Sequence, residues 1–239
     1  MNKKLFLTFI IAILGVSAFS QKRVGGAQNL QRFDLRKYHF GFALSGNQSS
    51  FFLDYKPDFG FSDSLLAITN VPQAGFNLAI LASYNPLPNI NFRFVPGLSF
   101  QDRTLSYSFL KPNGKVDTQL KPVSSVWLEF PIITKFRTNR TNNFAAYALI
   151  GGKYAIDMQS QKDVDNNVAQ QLVLKLTKTD YAVEAGGGFD FFLPYFKFGI
   201  EFKTSMGLKN VLLQENTRYS APLEKLKTRA FVVSITFEG

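Results

Sequence analysis

Apolar and polar residues alternate along several short segments of the chain. In residues 195–203 the phenylalanines and Ile200 take every second position, and the residues between them are charged or glycine. Residues 231–237 and 92–100 follow a similar pattern with interruptions. In a β-strand this period of two sends the aromatic side chains to one face and the charged ones to the other. A barrel with lipid outside and a polar lumen inside needs this pattern, which therefore predicts an all-β fold, an eight-stranded antiparallel transmembrane outer-membrane β-barrel.

The eight strands are predicted at residues 38–44, 75–84, 91–109, 124–137, 144–157, 180–192, 196–207 and 228–237. A Pro112-Asn113-Gly114 turn joins the third strand to the fourth. The other connections are short at 85–89, 138–143 and 193–195, and long at 46–72, 159–178 and 209–227. Bacterial barrels keep short turns in the periplasm and long loops outside. The alternation of lengths therefore predicts an outer-membrane protein with both its N- and C-termini in the periplasm.

The beginning of the chain has the organisation of a secretory signal peptide. Lys3 and Lys4 precede an apolar run at 5–16, and Ala18-Phe19-Ser20 forms a small-x-small cleavage site. The run is shorter than the roughly 20 residues that a membrane-spanning helix requires. We predict a signal peptide over residues 1–20, a periplasmic N-terminal lead-in over residues 21–37, and the barrel over residues 38–239.

Composition and charge narrow the classes of function. The chain has 26 Phe, 1 Trp and no Cys, which excludes disulfides and thiolate zinc sites. Its formal net charge is +10, or +8 once the 2 lysines of the signal peptide are subtracted. The basic residues lie at strand ends, in loops and in the lead-in, where they can face lipopolysaccharide phosphates or the periplasm. With no nucleic-acid-binding motif in the sequence, we expect outer-membrane lipid and lipopolysaccharide as partners, and no nucleic acid.

Outward phenylalanines leave charged residues of both signs inside the barrel. The interior of so small a barrel is just wide enough for its own side chains, so we expect these residues to form an ion-pair and hydrogen-bond network that fills the bore. A gated ion path through the same charges stays open as an alternative. The predicted lumen network consists of Arg93, Glu129, Lys135, Glu184, Asp190 and Glu201, with Lys197 and Lys203 facing the same interior.

The sequence offers little for catalysis or metal binding. Its one histidine, His39, lies near the periplasmic end of the first strand, whereas outer-membrane hydrolases place their catalytic groups near the external rim. Asp163-Val164-Asp165 lacks the glycine and distal glutamate of a calcium loop. Gly186-Gly187-Gly188 lies inside a strand, where its glycines either give space to lumen side chains or allow the sheet to bend. We therefore predict no catalytic, cofactor-binding or metal site, and no cofactor.

Both ends of the mature chain carry further signals. The chain stops soon after Phe237, like the C-terminal signal that the barrel-assembly machinery recognises in its clients. Near the N-terminus the sequence reads Asn29-Leu30-x-x-Phe33-Asp34-x-x-x-Tyr38-His39-Phe40-Gly41-Phe42, followed by Gly46-Asn47. With Trp127-Leu128-Glu129-Phe130-Pro131-Ile132, which is generic to Bacteroidetes outer-membrane barrels, this stretch resembles the PorT family, the barrel component of the type IX secretion system.

The resemblance implies a role in exporting proteins that bear a C-terminal sorting domain, and in gliding motility where the bacterium glides. A filled barrel cannot pass folded proteins, so the chain is expected to be a non-enzymatic accessory or assembly component that contacts other secretion-system components. A small porin-like or ion-conducting barrel is the alternative, and an outer-membrane hydrolase with a carboxylate base is the second. From the residues alone, the lead-in could be disordered, pack under the barrel or bind a partner, and the resemblance favours a docking element. The residues that would then dock a partner are Asn29, Leu30, Arg32, Phe33, Asp34, Arg36 and Lys37.

Overall fold

The computed structural model describes residues 28–56, 65–159, 174–215, 217 and 219–239, so the predicted signal peptide lies outside the described residues. A short 3-10 helix, Phe33–Leu35, precedes the sheet. The strands are β1 (Tyr38–Tyr55), β2 (Leu65–Leu87), β3 (Ile90–Phe94), β4 (Gly97–Leu110), β5 (Val116–Arg137), β6 (Phe144–Asp157), β7 (Thr179–Phe192), β8 (Lys197–Gly207) and β9 (Leu223–Glu238). Within the described ranges, no helix is long and apolar enough to cross a membrane.

The sheet closes on itself. Each strand pairs antiparallel with its sequence neighbour in the ring, and β1 pairs with β9 from Gly41 opposite Glu238 to Tyr55 opposite Leu223. Strands β3 and β4 share one place between β2 and β5, so the 9 strands fill eight positions. This confirms the prediction of an eight-stranded antiparallel barrel.

Pro96 divides the predicted third strand into two. A proline has no N–H to donate to the ladder. Its carbonyl oxygen accepts a hydrogen bond from Ile80 N at 2.9 Å, and Val95 N donates to Pro131 O at 3.1 Å. The prediction of one continuous strand at 91–109 is therefore wrong at this point, although β3 and β4 keep the same neighbours on both sides.

One end of the barrel holds residues 28–38, the C-terminus and the short connections, and we call it the terminal end; the opposite end is the distal end. Near the distal end the strands are longer than predicted. The expected loop at 46–72 is mostly β1 and β2, β5 begins at Val116, and β9 begins at Leu223. Outward positions here are mixed, with polar Gln48 and Asp54 on either side of the exposed Phe52. A strand beyond the membrane need not present only apolar side chains on its outer face. The alternation that marks the membrane-spanning part is therefore lost.

Candidate functional site

A network of buried ion pairs fills the lumen near the terminal end. Its centre is Arg93 on β3, whose guanidinium bridges two carboxylates. Nη1 donates to Glu201 Oε1 at 2.6 Å, and Nη2 donates to Glu238 Oε1 at 2.6 Å. These carboxylates belong to β8 and β9, so the contacts join opposite sides of the ring. We call the whole set the Arg93 network: Arg93, Lys135, Asp190, Lys197, Glu201 and Glu238.

Two lysines complete the Arg93 network. Lys197 Nζ lies 2.8 Å from Glu238 Oε2 and 3.8 Å from Asp190 Oδ2. Lys135 Nζ donates to both carboxylate oxygens of Asp190, at 2.9 and 2.7 Å. Three cations therefore face three carboxylates, and every member of the network is at most 5% exposed. Removing one partner from such a set leaves an uncompensated buried charge, which is strongly destabilising.

Tyr147 on β6 packs against the cations of this network. Its ring centroid lies 3.4 Å from Lys135 Nζ and 5.6 Å from Arg93 Cζ, which are cation–π distances. Gly188 on β7 makes room for the tyrosine, because a Cβ at that position would lie 2.6 Å from Tyr147 Oη. Gly188 thus gives space to an aromatic lumen side chain.

A second ion-pair cluster lies nearer the distal end. Lys153 Nζ lies 2.9 Å from Glu129 Oε1 and 3.1 Å from Glu184 Oε1. Gln101 Nε2 also donates to Glu129 Oε1, at 3.1 Å. Two cavities beside this cluster have volumes of about 20 and 30 Å³. Each has room for one or two water molecules, far short of a hydrated ion path.

The distal end of the lumen is closed by apolar side chains. Arg103 is buried between two aromatic rings, with its Cζ 5.1 Å from the Phe51 centroid and 5.8 Å from that of Trp127. Beyond it, side chains from the strands and from residues 174–226 pack into one buried cluster. Its members are Phe51, Leu65, Ile68, Leu105, Tyr107, Leu174, Leu176, Val211, Leu212, Tyr219, Leu223 and Leu226. The bore therefore ends in an apolar core on this side.

The lead-in closes the terminal end. Phe33, in the 3-10 helix, stacks on His39 with ring centroids 3.8 Å apart and meets Phe192 edge-on at 5.9 Å. Lys197 of the Arg93 network lies with its Nζ 4.9 Å from the Phe33 centroid. The phenylalanine thus covers the ion pairs from below, and we call residues 28–37 the floor.

Polar contacts tie the floor to the barrel rim. Asp34 Oδ1 lies 2.7 Å from Arg137 Nη1, and Asp34 Oδ2 lies 3.6 Å from Arg140 Nη1. Asn29 N donates to Asn143 Oδ1 at 2.8 Å, and Asn29 Nδ2 donates to the carbonyl of Phe192 at 2.9 Å. Arg140 also donates to the carbonyl of Asn29. These contacts fix residues 29–34 against the connections at 138–143 and 192–193.

A family model described as "Outer membrane protein beta-barrel domain" matches residues 19–213. The chain belongs to this family. Membership locates the protein in the outer membrane and agrees with the closed ring and its apolar outer face. The matched residues include the floor as well as most of the barrel.

Solved structures of small outer-membrane barrels are similar to this chain. OprG from Pseudomonas aeruginosa is 16% identical, covers 84% of this chain and 92% of its own, and has a TM-score of 0.41. Ail of Yersinia pestis, in complex with the heparin analogue sucrose octasulfate, is 14% identical over 85% of this chain and 100% of its own, with a TM-score of 0.38. Neisserial surface protein A is 10% identical, covers 82% of this chain and 95% of its own, and has a TM-score of 0.38. Among curated proteins no match is found.

The structure gathers the predicted lumen residues into two groups. Arg93, Lys135, Asp190 and Glu201 belong to the Arg93 network, whereas Glu129 and Glu184 flank Lys153. Glu129 differs from the others because its side chain is 13% exposed. Lys203 is half-buried and forms no ion pair with another described residue.

Two members of the lumen clusters were missed, although the alternation pointed to both. Glu238 follows the outward Phe237 and therefore faces inward, so extending the last predicted strand by one residue finds it. Lys153 stands two residues from Gly151 and from Ala155, on the inward face of β6. A charged residue in the middle of a glycine- and alanine-rich strand was the available signal.

His39 is an inward-facing, buried packing residue. It stacks on Phe33 and lies beneath the Arg93 network rather than at the distal rim. In the described residues, no group of three or more histidines, cysteines or carboxylates is placed to hold a metal ion.

The residues predicted to dock a partner divide between two faces of the floor. Asn29, Phe33 and Asp34 point to the barrel, and Leu30 is half-buried against the Phe33 cluster. The other three, Arg32, Arg36 and Lys37, are exposed.

Proposed function

We propose that this protein is a non-enzymatic outer-membrane barrel that serves protein secretion as an accessory, holding a partner at its terminal end rather than conducting cargo. The observation that carries the proposal is that the lumen is closed at three levels. The floor covers one end, ion pairs fill the middle, and an apolar core covers the other end. A folded protein has no route through such a bore. Any role in secretion must therefore be carried out by the surfaces of the barrel.

The exposed side of the floor is suited to docking. Leu35 is 81% exposed, and three exposed cations, Arg32, Arg36 and Lys37, lie within three residues of it in sequence. Tyr195, in the neighbouring short connection, is 88% exposed. Exposed apolar and aromatic side chains with basic neighbours are typical of a protein interface with an acidic rim on the partner. The opposite side of the floor is anchored, so the docking face is held in place rather than trailing from the barrel.

The resemblance to PorT in residues 29–47 supplies the biological setting. It supports the type IX secretion system as the machinery served, with its other components as partners and gliding motility as a dependent process. Short connections and both chain ends at the terminal end support its orientation toward the periplasm. The barrel-assembly machinery remains the expected partner for insertion.

We predict that reversing the charge of the exposed floor abolishes export. The variant Arg32→Glu/Arg36→Glu/Lys37→Glu removes no side-chain ion pair that holds the floor. We therefore expect normal amounts of heat-modifiable barrel in the outer membrane, and loss of sorting-domain proteins from the medium and cell surface. Immunoblots of both fractions measure the two quantities together.

The matched control is the reversal Lys56→Glu/Lys115→Glu/Lys178→Glu, which changes three exposed distal lysines that form no ion pair with a described residue. It should leave cargo export unchanged. Normal export in the floor variant would contradict the docking role, and lost barrel in that variant would assign the floor to folding instead.

A small ion-conducting barrel is the second candidate, favoured by a lumen lined with charged groups and by membership of a family of outer-membrane barrels. Planar-bilayer recording of the refolded protein separates the two. We expect no stable nanosiemens openings, because ion pairs fill the lumen and the two cavities beside Lys153 have room for only one or two waters each. Such openings in the wild-type protein would favour the conducting barrel over the secretion accessory.

A further inference from the structure

The outer face of the seam between β1 and β9 changes from apolar to basic toward the distal end. Phe231, Val233 and Ile235 are exposed along β9. The next outward positions toward the distal end are Arg229, Lys227 and Lys225, in a row that continues the same face of the strand. The basic row therefore stands directly above the apolar band that spans the membrane.

Two of these cations have no carboxylate partner among the residues that the structure describes. Lys225 Nζ lies 3.0 Å from Glu224 Oε1, and Asp54 stands opposite Lys225 across the seam, so its charge is compensated. Lys227 and Arg229 form no ion pair with any residue in the described ranges.

The register explains why these two charges stay uncompensated. Lys227 faces Phe52, and Arg229 faces Ser50 on β1 and Met206 on β8. The Arg229 guanidinium lies over the Phe231 ring, 4.8 Å from its centroid, which holds it at the edge of the apolar band. A pair of unpartnered cations at this height faces the headgroup region of a leaflet.

An open apolar groove lies below the two cations on the same seam. It is produced by Gly46, an outward glycine whose Cβ position has no atom within 4 Å. The groove is bounded by Leu44, Gly46, Phe76, Leu78, Val233 and Ile235. Val233 faces Gly46 and Arg229 faces Ser50, so the groove begins four residues from the cation. At the rise of an antiparallel strand this is roughly 13 Å.

We propose that the β1–β9 seam binds lipid A, the membrane anchor of lipopolysaccharide, with a phosphate on Lys227 and Arg229 and an acyl chain in the Gly46 groove. A phosphorylated sugar headgroup joined to acyl chains has an anion and a hydrocarbon chain at the separation that the seam provides. Charge-assisted hydrogen bonds from arginine and lysine to phosphate supply the polar contact. With the chain ends in the periplasm, the cations lie at the outer leaflet, where lipid A is the phosphate-bearing lipid. The site does not depend on the secretion role.

The test is titration of the full-length protein in detergent with diphosphoryl lipid A, followed by native mass spectrometry. Lys227→Gln/Arg229→Gln should weaken binding about tenfold or more, because two charge-assisted contacts are lost. Gly46→Leu should weaken it severalfold by filling the groove, and the open space at that position lets the leucine fit. Lys225→Gln, on the same face but already paired with Glu224, is the matched control and should bind like the wild type.

Three results would overturn the lipid A site. If the wild type and Lys227→Gln/Arg229→Gln bound lipid A equally well, Lys227 and Arg229 would not be the residues that contact its phosphate. If Lys225→Gln lost as much affinity for lipid A as Lys227→Gln/Arg229→Gln, the effect would come from the net charge of the protein rather than from a specific site. Phosphatidylglycerol binding as tightly as lipid A would make the seam a general anionic-lipid surface. Heat-modifiable migration of every variant establishes that the barrels compared are folded.

Discussion

Arg93→Ala should lower the free energy of unfolding by about 3–5 kcal/mol, the cost of breaking a buried ion pair by removing one partner. Arg93 bridges Glu201 and Glu238, and both carboxylates are almost completely buried. Glu238 keeps Lys197 at 2.8 Å, whereas Glu201 has no second ion pair among the described residues. The loss therefore falls chiefly on an uncompensated Glu201. Urea titrations of folding into liposomes measure it.

The exposed pair of Lys111 and Asp117 provides the control. Lys111 Nζ lies 3.0 Å from Asp117 Oδ1, but the lysine side chain is 52% exposed. Lys111→Ala should therefore change stability by only about 0–1 kcal/mol. If Arg93→Ala cost no more than Lys111→Ala, water would have to reach the Arg93 network, and the bore would be wider than the ion-pair distances indicate.

Phe202→Arg should destabilise the inserted barrel by about 2–4 kcal/mol, the penalty for a cation on the lipid face near the bilayer midplane. Phe202 is exposed in the middle of β8 and lies between Gly187 and Val233 on the neighbouring strands. Neither neighbour offers a carboxylate, so the guanidinium would face hydrocarbon. The same liposome titration measures the effect.

Thr118→Arg is the matched substitution outside the membrane. Thr118 is exposed on the distal part of β5, opposite Ser108, where an arginine remains in water. Its stability should stay close to that of the wild type. If Phe202→Arg and Thr118→Arg lowered the free energy of unfolding by similar amounts, the assignment of the band that spans the membrane would be contradicted.

The membrane-spanning ring could be predicted from sequence because lipid and lumen impose opposite demands on successive residues. That alternation identified all eight positions of the ring and drew attention to Arg93, Lys135, Asp190 and Glu201. The last predicted strand ended at Phe237 and so missed Glu238, because a charged residue beyond the alternating segment resembles a solvent-exposed tail. The alternation also did not predict the break at Pro96, because β3 and β4 keep the same inward and outward faces.

The closures at the two ends could not be predicted in the same way. The apolar core at the distal end is assembled from Leu105, Val211, Leu223 and other residues far apart in sequence, in segments without a regular period. The floor depends on contacts between distant segments, such as the stacking of Phe33 on His39 and the ion pair of Asp34 with Arg137. Such contacts arise from how chain segments meet in three dimensions, and no local pattern encodes them.

The bond between Arg93 and Glu238 joins residues that are 145 positions apart. Glu238 lies on β9, the strand that closes the ring against β1. The charges of the interior are therefore balanced only after β9 has taken its place in the barrel. Closure of the ring and neutralisation of the lumen are thus one event in folding, because a ring left open at the β1–β9 seam also leaves Arg93 without one of its two carboxylates.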